Sequence, residues 1–280
     1  MLSYRHGFHA GNGPDVFKHI VLAELIAALQ RKDGPICYLD THAGAGRYDL
    51  ESAMARKNGE FRAGIGRVWG VADVPRGALR YLDAVRALNE GDAVRWYPGS
   101  PLLVRHLLRA QDRMVLCELH TTEIKVLGTV FAGDKQVGVH HLDGYQGLKA
   151  FLPPRERRGL VLCDPAFEVK DERERLIDAI RGAWLRWPTG VFAIWHPIQD
   201  RKATERLYRA FRESGIRKVL RAELCTTEAD ADRKLLGSGL LIINPPWKLD
   251  RELASALPWL WQALSVQGRG QWLVDWLLPE

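Results

Sequence analysis

Ile36-Cys37-Tyr38-Leu39-Asp40-Thr41-His42-Ala43-Gly44-Ala45-Gly46 is an apolar run that ends in an acid and opens into a small-residue turn. A buried parallel strand hands over in this way to a loop that a nucleotide-like ligand can approach. Gly44 and Gly46 permit φ > 0 and carry no Cβ to block such a ligand. A second stretch, Leu160-Val161-Leu162-Cys163-Asp164-Pro165-Ala166-Phe167, repeats the plan.

Further short apolar runs lie outward from these two, at Met114–Glu118, Val137–His141 and Val191–Trp195. Another strand is expected over Lys218–Cys225, with a further pair at Gly239–Asn244 and Gln271–Leu277. Helical patterns separate most of them, including Lys170–Trp187 and Asp200–Ser214. A helix is also expected over Pro14–Lys32, where Asn12 caps, Pro14 suits the first turn, and Val16, Ile20, Leu22, Leu25, Ile26 and Leu29 recur at helical spacing. Strand–helix alternation with nearly continuous apolar strands predicts an α/β fold: one mostly parallel sheet covered on both faces, spanning residues 1–280 as one domain. One interval breaks the rhythm. No strong strand appears between Tyr48 and Trp96, so residues 49–95 read as a small helical insertion.

Composition sets the broad class. The chain has 280 residues, 46% hydrophobic and 26% charged, as ordinary soluble proteins do. It has no apolar run of bilayer length, and MLSYRHGFHAGNG has no apolar signal core, so a cytoplasmic protein without a membrane partner is expected. Cys37, Cys117, Cys163 and Cys225 lie far apart with no CxxC, and read as small core residues in a reducing compartment. The net charge of +6, carried mostly by arginine, leans toward a polyanionic partner; a solvated basic surface would look the same.

Asp40, Glu118, Asp143 and Asp164 each fall at the end of an expected strand. In a parallel sheet those ends share one edge, where ligands bind. Converging acids suit a ligand rich in hydroxyl and amine donors or carrying positive charge. S-adenosylmethionine offers both. A nicotinamide dinucleotide would want GxGxxG, and Gly44-Ala45-Gly46-Arg47-Tyr48-Asp49 lacks the third glycine. After the second strand, Asp164 and the Pro165 carbonyl could accept both N–H bonds of an exocyclic amine and hold its nitrogen in line with a methyl donor. Phe167 could stack on the base once it is flipped out. A strand that simply ends in an Asp-Pro turn is the plainer alternative.

These residues resemble the S-adenosylmethionine-dependent amino-methyltransferases that carry a (D/N)PP(Y/F/W) motif. More closely, the chain resembles the ribosomal RNA large subunit methyltransferase J family. The likeness runs along nearly the whole chain, through Tyr4–Asn12 with Asp15, Lys18 and His19, Leu39–Tyr48, Tyr97–Pro101, Glu118-Leu119-His120, Asp143-Gly144 and Ile243–Lys248. The resemblance implies a Rossmann-like domain with a helical insertion, and methylation of N6 of an adenine in 23S rRNA. A monomer acting on naked or partly assembled RNA is expected, and methyl transfer from a sulfonium needs no metal. The resemblance also implies that His19, His42, Ser100, Glu118, Asp143, Gly144 and Asp164 line the cofactor pocket and that Asp164 is catalytic. Glu118 would take the ribose hydroxyls, and Asp143 with Gly144 would border the adenine. Tyr4, with Pro165 and Phe167, would meet the RNA, and Lys18 the cofactor carboxylate. Where the family has a second proline this chain has Ala166, which implies a less preorganised loop.

Several signals carry less. Asn244-Pro245-Pro246-Trp247 spells the amino-methyltransferase motif, but it follows a late hairpin with no glycine-rich loop after it. The histidines lack metal-ligand spacing with cysteines. Trp184, Trp187, Trp259, Trp261 and Trp272 fall in apolar periodic stretches and read as core. Arg155–Arg158 and the Arg201/Lys202/Arg206/Arg209 face could grip phosphates or simply be solvated. Rival functions are a DNA adenine-N6 methyltransferase and an RNA-binding assembly factor with weakened catalysis.

Overall fold

The computed structural model describes residues 4–169, 171–228 and 235–280. Its strands are β1 (Cys37–Asp40), β2 (Arg47–Asp49), β3 (Trp96–Pro98), β4 (Arg113–Glu118), β5 (Val137–His141), β6 (Gly159–Cys163), β7 (Val191–Ile198), β8 (Val219–Cys225), β9 (Gly237–Ile243) and β10 (Gln271–Leu278). All but β2 and β3 form one sheet, in the order β10-β8-β9-β7-β6-β1-β4-β5. From β5 to β7 the pairing is parallel; β9, β8 and β10 follow antiparallel. The chain goes from β1 to β4 on one side and later returns to β6 on the other. That reversal makes β1 and β6 flank the switch point of a Rossmann-like α/β sheet, where a crevice opens at the strands' carboxyl ends.

Both faces of the central strands are covered. Ile36 and Tyr38 belong to one core, Cys37 and Leu39 to the other; Leu160 and Leu162 alternate in the same way with Val161 and Cys163. This two-sided burial is why the strands read as continuous apolar runs. The first core holds the helix Gly13–Leu29, buried almost all round. Asn12 caps that helix by accepting from the Asp15 N–H at 3.0 Å.

Several boundaries differ from the sequence expectation. β7 continues through Pro197 to Ile198, because beyond Ile194 it pairs with β9 alone. Gln271–Leu278 does not lie against Gly237–Ile243. Both edges of β9 are taken by β7 and β8, so the last strand pairs with β8. The expected Lys170–Trp187 helix spans Glu172–Arg186, and Lys170 lies outside the described residues.

Between Asp49 and Trp96 stand the short helices Ala53–Asn58 and Ile65–Val68 and the longer Arg76–Arg86. β2 and β3 close the neck of this segment as an antiparallel ribbon, pairing Arg47 with Pro98 and Asp49 with Trp96. Ile65, Val68, Tyr81, Leu82 and Val85 share the core of the Gly13–Leu29 helix. Among the described residues no helix is long and apolar enough to cross a membrane.

Candidate functional site

A cavity of about 390 Å³ opens at the carboxyl ends of the parallel strands. Its walls come from well-separated parts of the chain. The N-terminal stretch and first helix bring Tyr4, Lys18 and His19; the turn after β1 brings His42 and Gly44. Ser100, Glu118, Asp143 and Gly144 follow from the next loops and strand ends. The turn after β6 contributes Asp164, Pro165, Ala166 and Phe167. The residues that the family resemblance placed at the cofactor, together with Tyr4, Lys18, Pro165 and Phe167, all line this one space.

The glycine turn is set by local sterics. Gly44 sits at φ 61°, and a Cβ there would lie 2.2 Å from the Tyr48 hydroxyl. That hydroxyl accepts from the Ala45 N–H at 3.1 Å. Glu118 ties the turn to the end of β4: its carboxylate accepts from the Gly44 N–H at 2.7 Å and the His120 N–H at 2.6 Å. Asp143 caps the helix Gly144–Phe151 through the Tyr145 and Gln146 N–H groups.

Asp40 corrects the expectation of four converging acids. It is fully buried beneath the cavity instead of lining it. The Tyr38 and Ser100 hydroxyls each donate to Oδ2 at 2.7 Å, and the His42 N–H reaches Oδ1. Burial raises its pKa, and these donors oppose the rise. Asp40 therefore fixes the turn after β1 from below.

Asp164 has a buried counter-charge. Lys18 Nζ lies 2.6 Å from Asp164 Oδ2 and 2.9 Å from Asp15 Oδ1. Asp15 Oδ2 also meets the Gly11 N–H and His6 Nε2, and His6 Nδ1 meets the Tyr4 hydroxyl at 2.9 Å. Burial alone would lower the Lys18 pKa, but Asp15 and Asp164 hold it above its ordinary value. Burial likewise pushes Asp15 up, yet His6 and Lys18 keep it well below the usual carboxylate range. Such charges are tolerable inside a protein only when paired and hydrogen-bonded in this way. Lys18, expected at a cofactor carboxylate, is thus already engaged by two side chains of its own chain.

His19 is neutral: burial pushes its pKa down to about 3. Nδ1 meets the Tyr97 hydroxyl at 2.9 Å, while Nε2 is buried with no partner. Phe167 adopts a left-handed backbone, φ 53°, and its ring lies 6.1 Å from that of Trp195. A non-glycine residue held there costs on the order of 1–3 kcal/mol, and such strain persists where surrounding structure enforces it.

Comparison with known proteins fits this geometry. Residues 33–278 match the family model described as "Ribosomal RNA large subunit methyltransferase D, RlmJ". The chain is 44% identical to the Ribosomal RNA large subunit methyltransferase J of Haemophilus influenzae and to that of Escherichia coli, with all of each chain covered in both cases. The chain belongs to this family. The crystal structure of protein LPL1258 from Legionella pneumophila, 37% identical, superposes with a TM-score of 0.89 over 96% of this chain and 98% of that one.

Within this family member, the sequence did not single out Tyr145, Glu172, Arg175 or Trp195, which also line the cavity. Asp15 stands three residues before Lys18 on one helix, a spacing that signals a pair. The bridge to Asp164, by contrast, forms only when the chain folds. Asn244-Pro245-Pro246-Trp247 follows β9, which runs antiparallel to β7 and so delivers it to the opposite sheet edge. Arg158 is also at that edge, donating to the Gly34 and Leu29 carbonyls, and Arg201 is paired with Glu223. Trp272, expected in the core, is 37% exposed on the edge strand. Among the described residues no group of three or more His, Cys, Asp or Glu could hold a metal ion.

Proposed function

We propose that this chain transfers a methyl group from S-adenosylmethionine to N6 of an adenine in 23S rRNA, acting in the cytoplasm on naked or partly assembled RNA. The observation that carries the reading is one cavity walled on one side by the Gly44 turn with Glu118 and on another by Asp164-Pro165-Ala166-Phe167. The first wall suits the cofactor. Glu118 has lone pairs beyond the two N–H groups it accepts, as ribose hydroxyls require, and the orphaned His19 Nε2 is a polar atom awaiting a partner. His42, Ser100, Asp143 and Gly144 complete that side. When bound, S-adenosylmethionine supplies an electrophilic methyl carbon.

The second wall suits a flipped adenine. Lys18 occupies Asp164 Oδ2, so Oδ1 is the oxygen left to accept an N6–H. The Pro165 carbonyl takes the other, which aligns the nitrogen lone pair and absorbs the positive charge it develops. Phe167 and Tyr4 offer ring faces to the extruded base. Held there, N6 would take the methyl directly, its new C–N bond forming as the S–CH3 bond breaks and leaves S-adenosylhomocysteine, with no covalent enzyme intermediate, and the proton that N6 sheds would pass to solvent.

Mass spectrometry of 23S rRNA from cells with and without the gene tests this reading. One methyl group on one adenine should disappear on deletion; an unchanged methylation pattern sinks it. Tritium transfer from labelled cofactor to RNA but not to DNA separates the reading from a DNA methyltransferase.

A further inference from the structure

Tyr145 connects the two walls of the cavity, and nothing in the proposed chemistry uses it. Its ring meets the His42 ring edge-on at 5.7 Å, and it directly follows Gly144. Its hydroxyl donates to Glu172 Oε1 at 2.5 Å. Glu172 opens the helix Glu172–Arg186, into which the Asp164–Phe167 turn leads. Arg175, one turn on, lies over the Tyr145 ring at 5.3 Å and 3.5 Å from Asp143 Oδ2.

The contact is built to last. Tyr145 and Glu172 are both more than nine-tenths buried. A buried carboxylate is costly unless it is hydrogen-bonded, and a hydroxyl–carboxylate bond is among the strong ones. Burial raises the Tyr145 pKa above its ordinary value, so the hydroxyl keeps its proton and stays a donor. On the other side of Glu172, the left-handed Phe167 needs its flanks held.

We propose that Tyr145 is a positioning residue. Its ring supports the cofactor side, and its hydroxyl, through Glu172, sets the turn that carries Asp164 and Phe167. A bound cofactor thereby fixes the geometry offered to the target base. This inference rests on the methyl-transfer reading of the site.

Tyr145→Phe tests it, because the ring stays against His42 and Arg175 while the hydroxyl goes. With 23S rRNA as substrate, kcat should fall about tenfold to a hundredfold, since misplacing reacting groups by an ångström has effects of that order, while the calorimetric Kd for S-adenosylmethionine stays within about threefold. Glu172→Gln, which keeps an acceptor for the hydroxyl, should restore most of the kcat that Glu172→Ala loses. The double variant Tyr145→Phe/Glu172→Ala should be no worse than either single one. A Tyr145→Phe enzyme with wild-type kcat overturns the proposal, as does one whose cofactor affinity falls in step with kcat. If the unmodified protein methylates no 23S rRNA, the functional reading fails first; if it does and Tyr145→Phe matches it, only this inference fails.

Discussion

Asp164-Pro165-Ala166-Phe167 and Asn244-Pro245-Pro246-Trp247 invite direct comparison, and the second is the better match to the amino-methyltransferase pattern. The first follows β6, parallel to β1, and enters the cavity. The second follows β9, antiparallel to β7, and leaves the sheet at the far edge. There the Asn244 amide donates to the Pro188 and Gly190 carbonyls, the Trp247 carbonyl accepts from Arg31, and the indole is 80% exposed. Asp164 instead faces Lys18 inside the protein. Strand direction, not spelling, decides which motif reaches the cavity. The residue types proposed to hold an amine in one place close a turn in the other.

The contrast can be broken by mutation. Asp164→Ala should lower kcat by about 10²–10³ or more while leaving a cooperative melt, as expected when a preorganised group facing developing charge is removed. Retention of full activity would end the assignment. Acid should act at the cavity edge too. His19 binds a proton in the unfolded chain near pH 6.5 but in the folded one only near 3, so stability is full above 6.5 and falls by about 1.4 kcal/mol per pH unit below it. Asp15, held below its ordinary 3.8, adds loss of the same sign as pH falls further. His196, which burial pushes down to about 4, adds a slope of the same sign, so His19→Leu should remove about half of the slope in melts taken from pH 7 to 4, whereas Asn244→Ala should leave it intact.

Smaller effects sharpen the comparison. Phe167→Ala should cost about 1–3 kcal/mol in kcat/KM, the usual worth of one base–aromatic stack. Asn244→Ala should cost about 0.5–1.5 kcal/mol of stability through the loss of its amide's bonds to the Pro188 and Gly190 carbonyls, with methylation unchanged at temperatures well below the melt. Trp247→Ala should alter stability by less than about 0.5 kcal/mol, and activity not at all. A methylation defect in either of the last two would mean the far edge takes part after all.

The parallel half of this fold was legible because strands covered on both faces leave an unbroken apolar signature, as Tyr38-Leu39 and Leu160–Cys163 do. The β2–β3 ribbon was not, since three residues carry no usable period. Nor was the last pairing, because Gln271–Leu278 alternates equally well against any free edge. At the site, the strand-end acids revealed the crevice but not which of them faces it. Hydroxyls of Tyr38 and Ser100, the latter sixty positions along the chain, hold Asp40 beneath it, whereas Glu118 accepts from the Gly44 and His120 N–H groups. Tyr145 and Glu172 gave no signal, since a tyrosine and a glutamate each inside an amphipathic helix look like any others.

The ribbon that joins Arg47–Asp49 to Trp96–Pro98 has a mechanical consequence. It staples the two ends of the intervening helices together at the cavity wall, with the Gly99 N–H bonded to the Gly46 carbonyl just inside. Those helices are gripped a second time by the buried Gly13–Leu29 helix. The bends at Gly70 and Gly91, exposed and with empty space where a Cβ would go, lie outside both grips. Residues grafted there would hang from the molecule like a pendant and tug on nothing that shapes the crevice.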